Sequence, residues 1–261
     1  MKPFFAQLEE RCKKTGSLLC IGIDPRPDDL AEPTASAARD FSLRLIEATV
    51  DVAAAYKPNT AFFEAFGPEG WQALKDVVAA VPADIPVILD SKRGDISSTA
   101  EAYARSAFEN LKGGAITLNP YLGYDSILPF LKNPNTGVFL LCKTSNPGAV
   151  DLQDLHLAGE HKPLRLFEKV ALLAHEWNTG SNIGLVVGAT QIDALRCVRE
   201  LVPDMWILAP GVGAQGGDLS AALREGLRAD KSGLLIPVSR AISKAPDMRK
   251  AAHDLHEEIQ R

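Results

Sequence analysis

Short apolar runs and amphipathic stretches alternate eight times along this chain, a cadence open to few folds. The runs fall at 18–23, 53–56, 87–89, 115–118, 138–142, 183–187, 206–209 and 234–238. Helical spacing of apolar residues occupies 39–52, 68–80, 97–111, 124–132, 164–177, 190–202 and 219–228, with a further helix at each terminus. Such alternation is the pattern of parallel βαβ units. Most runs lack strict period-two alternation, as strands buried on both faces do. Eight units in 261 residues, with no Pro-, Gly- or Ser-rich linker between them, predict an α/β fold. The expected form is a single (β/α)8 TIM barrel spanning 1–261, with an extra N-terminal helix. The segment 144–163 is long and aperiodic, as lids and binding loops are.

Composition narrows the function classes. A net charge of −5 leaves no basic footprint for nucleic acid. Any anionic ligand therefore needs a local site. Residues 1–14 carry Glu9, Glu10, Arg11, Lys13 and Lys14, without the apolar core of a signal peptide. No apolar run reaches the roughly 18 residues of a membrane span. Cys12, Cys20, Cys142 and Cys197 are scattered, with no Cys-x-x-Cys pair and no His at ligand spacing. They read as idle thiols in a reducing compartment, so the expected location is the cytoplasm and no metal site is expected.

In a barrel, function collects where strands give way to the following loops. The third run leads into Asp90, Lys92 and Asp95. Residues two apart on a strand share a face, so Asp90 and Lys92 project together. Opposite charges at a buried strand end are costly unless paired or used. Asp95 has a second reading as a helix N-cap, with Ser98-Thr99-Ala100-Glu101 at capping-box spacing behind it.

Other exits add Asp24, Lys57, the trio Lys143-Thr144-Ser145, the segment 211–217 and Ser239-Arg240. Residues 211–216 match G-x-G-x-x-G, a dinucleotide fingerprint that belongs in a first βαβ unit, whereas only one strand remains here. Barrels instead hold phosphate on the loops after strands seven and eight, through backbone N–H groups and a helix N-terminus. Gln215 and Arg240 suit that task. Lys143 reads either as a Schiff-base lysine or as a solvated rim residue. Glu64 reads as an ion-pair partner. None of the five histidines stands at a strand exit.

Taken together, these residues resemble the orotidine 5′-phosphate decarboxylase family, in its longer, mainly bacterial branch. The resemblance covers residues 21 to 242 and runs through Tyr56-Lys57-Pro58-Asn59, Phe62-Phe63-Glu64 and Thr144-Ser145-Asn146-Pro147-Gly148. The family's D-x-K-x-x-D signature is met by Asp90, Lys92 and Asp95, its preceding lysine by Lys57. Pro210-Gly211, Gln215 and Arg240 follow in order, with Ser239 where shorter members have glycine.

The resemblance implies decarboxylation of orotidine 5′-phosphate to UMP without metal or organic cofactor. It implies catalysis by Lys57, Asp90, Lys92 and Asp95, with Lys92 as proton donor to C6. Asp24 and Lys57 would bind ribose, Ser145 the pyrimidine, and Gln215 and Arg240 the phosphate, with Pro210 in the substrate wall. It further implies a homodimer in which Asp95 and Thr99 enter the partner's site. Sibling barrels that use a divalent metal, a Schiff-base aldolase and a silent nucleotide-binding barrel are the competing readings.

Overall fold

The computed structural model describes residues 2–158, 163–212 and 216–260. Its strands are β1 (Leu19–Ile23), β2 (Ala55–Pro58), β3 (Ile88–Arg93), β4 (Ala115–Leu118), β5 (Gly137–Lys143), β6 (Ile183–Val187), β7 (Ile207–Leu208) and β8 (Leu234–Val238). All eight run parallel in one sheet that passes from β3 through β4, β5, β6, β7, β8 and β1 to β2. Parallel bridges Tyr56↔Val87 and Asn59↔Asp90 join β2 back to β3 and close the barrel. The Tyr56 N–H donates to the Pro86 carbonyl at 2.9 Å across that seam. Closure removes the two edges that an open sheet would expose.

The barrel interior is built in layers spaced by the two-residue pleat. The lower layer holds Cys20, Ala55, Ile88, Ala115, Phe139, Trp206 and Leu235, all buried in one apolar cluster. Two residues further along the strands stand Gly22, Lys57, Asp90, Thr117, Leu141, Val186, Leu208 and Pro237, which line an open cavity. The floor of that cavity is therefore apolar, and its wall turns polar on β2, β3 and β4.

The N-terminal helix α1 (Phe4–Thr15) plugs the lower end. Phe4, Phe5, Leu8 and Cys12 join the lower-layer cluster. Phe5 stacks on Trp206 with rings 12° apart. The ring of Phe4 lies where a Cβ on Gly137 would come within 2.5 Å, so that strand start needs glycine. Arg11 pins the helix, donating to the Ala53 carbonyl at 2.9 Å and the Val50 carbonyl at 2.6 Å.

The outer helices are α2 (Ala35–Thr49), α3 (Thr60–Glu64), α4 (Gly67–Ala80), α5 (Ser97–Arg105), α6 (Tyr124–Leu131), α7 (Leu166–Trp177), α8 (Ile192–Leu201), α9 (Leu219–Gly226), α10 (Arg240–Ser243) and α11 (Met248–Gln260). The expected helix over 97–111 stops early: after Arg105 the chain widens into a π-helical turn, Ser106–Asn110. Its apolar stripe is nonetheless buried through Ala100, Ala104 and Ala107. A short antiparallel ribbon, His156–Leu157 with Leu164–Arg165, ties the ends of the long loop after β5.

Candidate active site

The cavity at the upper end of the barrel measures about 560 Å³. Of the sequence-predicted site residues, Asp24, Lys57, Asp90, Lys92, Ser145, Pro210 and Arg240 line it. Gln215 lies outside the described residues. Asp95 and Thr99 are not part of this chain's own cavity wall. Thr99 is exposed on α5.

Asp90 is the hub. It is 8% exposed. Its Oδ2 accepts from Lys57 Nζ at 2.5 Å, and its Oδ1 accepts from Lys92 Nζ. The two lysines differ in setting: the Lys57 side chain is 9% exposed and that of Lys92 49%. Burial alone would raise the Asp90 carboxyl, but the Lys57 and Lys92 ammoniums outweigh it and hold the group far below the usual carboxylate range. Burial likewise opposes the Lys57 charge, and Asp90 with Asp24 reverses that and raises its pKa. The result is a cation–anion–cation row along the cavity wall, buried at its Lys57 end and half exposed at its Lys92 end.

β3 carries this row because its ladder with β4 breaks. Leu89 pairs with Ile116 and Arg93 with Leu118, so residues 90, 91 and 92 stand opposite Thr117 alone. Lys92 adopts φ +48°, in the left-handed region that side chains of its kind rarely enter. Bulges of this sort re-aim side chains beside active sites.

Among the described residues, three cavity-lining side chains carry buried polar atoms without a hydrogen-bond partner: Asp24 Oδ1, Arg26 Nε and Ser239 Oγ. Buried polar atoms are almost always paired, so such a concentration marks a surface shaped for a polar ligand. Arg26 was not anticipated from sequence. Its guanidinium lies over the Phe62 ring at 5.2 Å, and both residues line the cavity. The signal was present, because Arg26 stands two residues beyond Asp24 in the same strand exit. Ser239 fits through Gly22, where a Cβ would come within 2.9 Å of the serine Cβ.

Several expectations need correction. Asp95 is not a helix cap: Ile96 holds that position, with no side-chain hydrogen bond. The Asp95 carboxylate instead accepts the Ile96 N–H at 2.8 Å. The helix begins at Ser97, one residue later than a cap at Asp95 requires. Lys143 is neither solvated nor in the cavity. A register shift between Leu141 and Lys143 turns it outward, where it is 3% exposed. There it pairs with Asp154 at 2.7 Å and sits over the Phe167 ring. The N-terminus of α9 is already capped by Asp218, which accepts the Ala221 N–H at 3.0 Å. Arg240 lines the cavity among the described anion-binding candidates after β7 and β8. The Gly217 N–H donates to the Gly211 carbonyl at 3.0 Å.

The ion-pair reading of Glu64 holds. Glu64 pairs with Arg93. The four cysteines are free thiols, and burial pushes those of Cys12 and Cys20 up to about 12. Among the described residues, no group of three or more His, Cys, Asp or Glu is placed to hold a metal ion, and no helix is long and apolar enough to cross a membrane.

Comparison with known proteins agrees with this geometry. Orotidine 5′-phosphate decarboxylase of Roseiflexus castenholzii is 51% identical over 243 residues, covering 92% of this chain and 88% of that protein. The structure of Leishmania donovani OMP decarboxylase superposes with a TM-score of 0.91 at 53% identity, covering 99% and 97% of the two chains. That of Leishmania donovani UMP synthase gives 0.93 at 55% identity; there the chain spans 99% of itself but only 56% of the other protein. Residues 17–255 match the family described as orotidine 5′-phosphate decarboxylase / HUMPS, and with a relative 51% identical over nearly its whole length the chain belongs to that family.

Proposed function

We propose that this barrel decarboxylates orotidine 5′-phosphate to UMP and CO2, a step of pyrimidine synthesis, with residues 1–261 forming one catalytic domain. The observation that carries the reading is the Lys57–Asp90–Lys92 row at the wall of a cavity where three buried polar atoms lack a partner among the described residues. Breaking the C6–carboxylate bond releases CO2 and leaves the electron pair on C6, with little ring delocalisation. The reaction therefore needs a cation where that charge develops. Lys92 is the more exposed lysine of the row. It stabilises the carbanion, then transfers an Nζ proton to C6 and is reprotonated from water. Asp90 and Lys57 hold it in place, the pairing limiting the cost of burying either charge. Asp24 with Lys57 suits the ribose, Ser145 and Pro210 the base side, and Arg240 with Gln215 the phosphate. Binding energy from the remote phosphate goes to closing the loops and excluding water.

The absence of Asp95 from its own cavity wall supports a two-fold dimer in which Asp95 and Thr99 complete the partner's site. Ile96, Tyr121, Leu122 and Leu128 are exposed apolar side chains on segments that follow β3 and β4, and they suit a covered face there. Unpaired thiols suit a cytoplasmic enzyme. The reaction is assigned to the side chains alone.

The test follows orotate absorbance with orotidine 5′-phosphate as substrate, with and without EDTA. The expected result is turnover unaffected by chelator, abolished in Lys92→Ala with UMP binding retained. Loss of activity in EDTA with recovery in magnesium would move the chain to a metal-dependent sibling activity. An active Lys92→Ala would remove Lys92 as proton donor.

A further inference from the structure

We infer that the Thr117 hydroxyl is the positioning group that sets the reactive lysine. Thr117 sits on β4, is 1% exposed, and faces the cavity from directly behind the β3 bulge. Its Oγ1 accepts the Ser91 N–H at 3.0 Å and the Lys92 N–H at 2.9 Å, and it donates to Asp90 Oδ1 at 3.1 Å. A hydroxyl has two lone pairs and one proton, and all three are committed here.

Each bond acts on the catalytic row. In an unbroken parallel ladder alternate β3 amides would find β4 carbonyls. At the bulge three β3 residues oppose one on β4, so two amides lose that register and the hydroxyl takes both. The same contact holds the Lys92 backbone at φ +48°, a conformation that persists only where its surroundings fix it. That conformation lets Asp90 and Lys92 both face the cavity and pair with each other. The third bond fixes the Asp90 Oδ1 that receives the Lys92 ammonium. Without the hydroxyl, two amides behind the cavity lose their acceptor, and Lys92 is free to relax to negative φ and swing its Nζ away.

The inference rests on Lys92 being the reacting cation, so Lys92→Ala is measured beside Thr117→Val and Thr117→Ser. Valine keeps the shape and removes the hydroxyl; serine keeps the hydroxyl. Misplacement of a reacting group by about 1 Å costs up to about 10²-fold, so Thr117→Val should lose about 10- to 100-fold in kcat. Its KM and its affinity for UMP should stay near those of the parent. Thr117→Ser should recover most of the loss. Should the valine variant fail to accumulate, Thr117→Ala against Thr117→Ser carries the same contrast. An unchanged kcat in Thr117→Val, with Lys92→Ala dead, overturns the Thr117 inference and leaves the decarboxylase reading intact. Parallel loss of kcat, KM and UMP affinity that serine does not restore also overturns it, since that is general damage to the barrel. An active Lys92→Ala removes the premise and both fall.

Discussion

Asp90→Asn should destabilise the protein far more than Lys92→Ala, although both break an ion pair with the same carboxylate. Lys57 and Asp90 are each buried, so neutralising Asp90 strands the Lys57 ammonium away from water. Breaking a buried pair from one side costs about 3–5 kcal/mol. At about 2–4 °C per kcal/mol for chains approaching this size, even the lower figure predicts a melting point about 6–12 °C below wild type. Lys92 is half exposed, and its removal leaves Asp90 still bonded to Lys57 and Thr117. That pair is worth about 0–1 kcal/mol. Replacing both buried charges, as Lys57→Met with Asp90→Leu, should recover most of the Asp90→Asn loss, because no buried charge is then unpaired. The assay is thermal and urea unfolding by circular dichroism at matched protein concentration, since subunit association would otherwise shift the midpoint.

The pH dependence of that gap has a definite sign. The folded Asp90 carboxyl sits below its ordinary 3.8, so its contribution is complete above 3.8 and is lost as pH falls toward the folded value. The Lys57 contribution is complete below its ordinary 10.5 and is lost as pH rises through a higher folded value. Wild type and Asp90→Asn should therefore differ by a constant amount at neutral pH and converge in acid below 3.8. If Asp90→Asn melts no lower than Lys92→Ala, the buried pair is not what holds this wall, and the reasoning fails.

Lys92→Ala and Asp95→Asn proteins, each nearly inactive, should complement when mixed under conditions that exchange subunits. About half the dimers are then mixed, each with one intact site, giving about one quarter of wild-type activity; confirmed exchange without recovery would return Asp95 to its own chain. Arg240→Ala removes a charge-assisted contact worth about 1.5–3 kcal/mol, or about 10- to 150-fold, from substrates that carry phosphate. Orotidine lacking the phosphate should react poorly with wild type and lose little more in the variant; equal penalties would show that Arg240 does not grip phosphate. Lys143→Ala should keep most of its turnover and form no borohydride-trapped adduct in the parent, while unfolding at lower temperature because Asp154 and Phe167 lose their partner. A dead but fully folded Lys143 variant would revive the aldolase reading.

The chain's one-dimensional pattern was sufficient for the barrel, because parallel strands buried on both faces must read as short apolar runs separated by amphipathic helices. It also put Asp90 and Lys92 on one face, although in the folded protein that facing runs through a bulge and a left-handed Lys92. The location of Lys57, Asp24 and Arg240 at strand ends followed from the same cadence. Tertiary contacts decided the rest. Nothing in the local sequence shows that Thr117, 25 residues beyond Lys92, would supply the hydroxyl that completes a broken ladder. The outward turn of Lys143 depends on a one-residue register shift against β6, and strand register is a property of two strands together. Asp95 had the spacing of a cap, but a cap at 95 needs the helix to begin at 96, and the chain begins it at the left-handed Ser97 behind Ile96. Periodicity is written in the order of residues; register and bond partners are chosen only when distant segments meet.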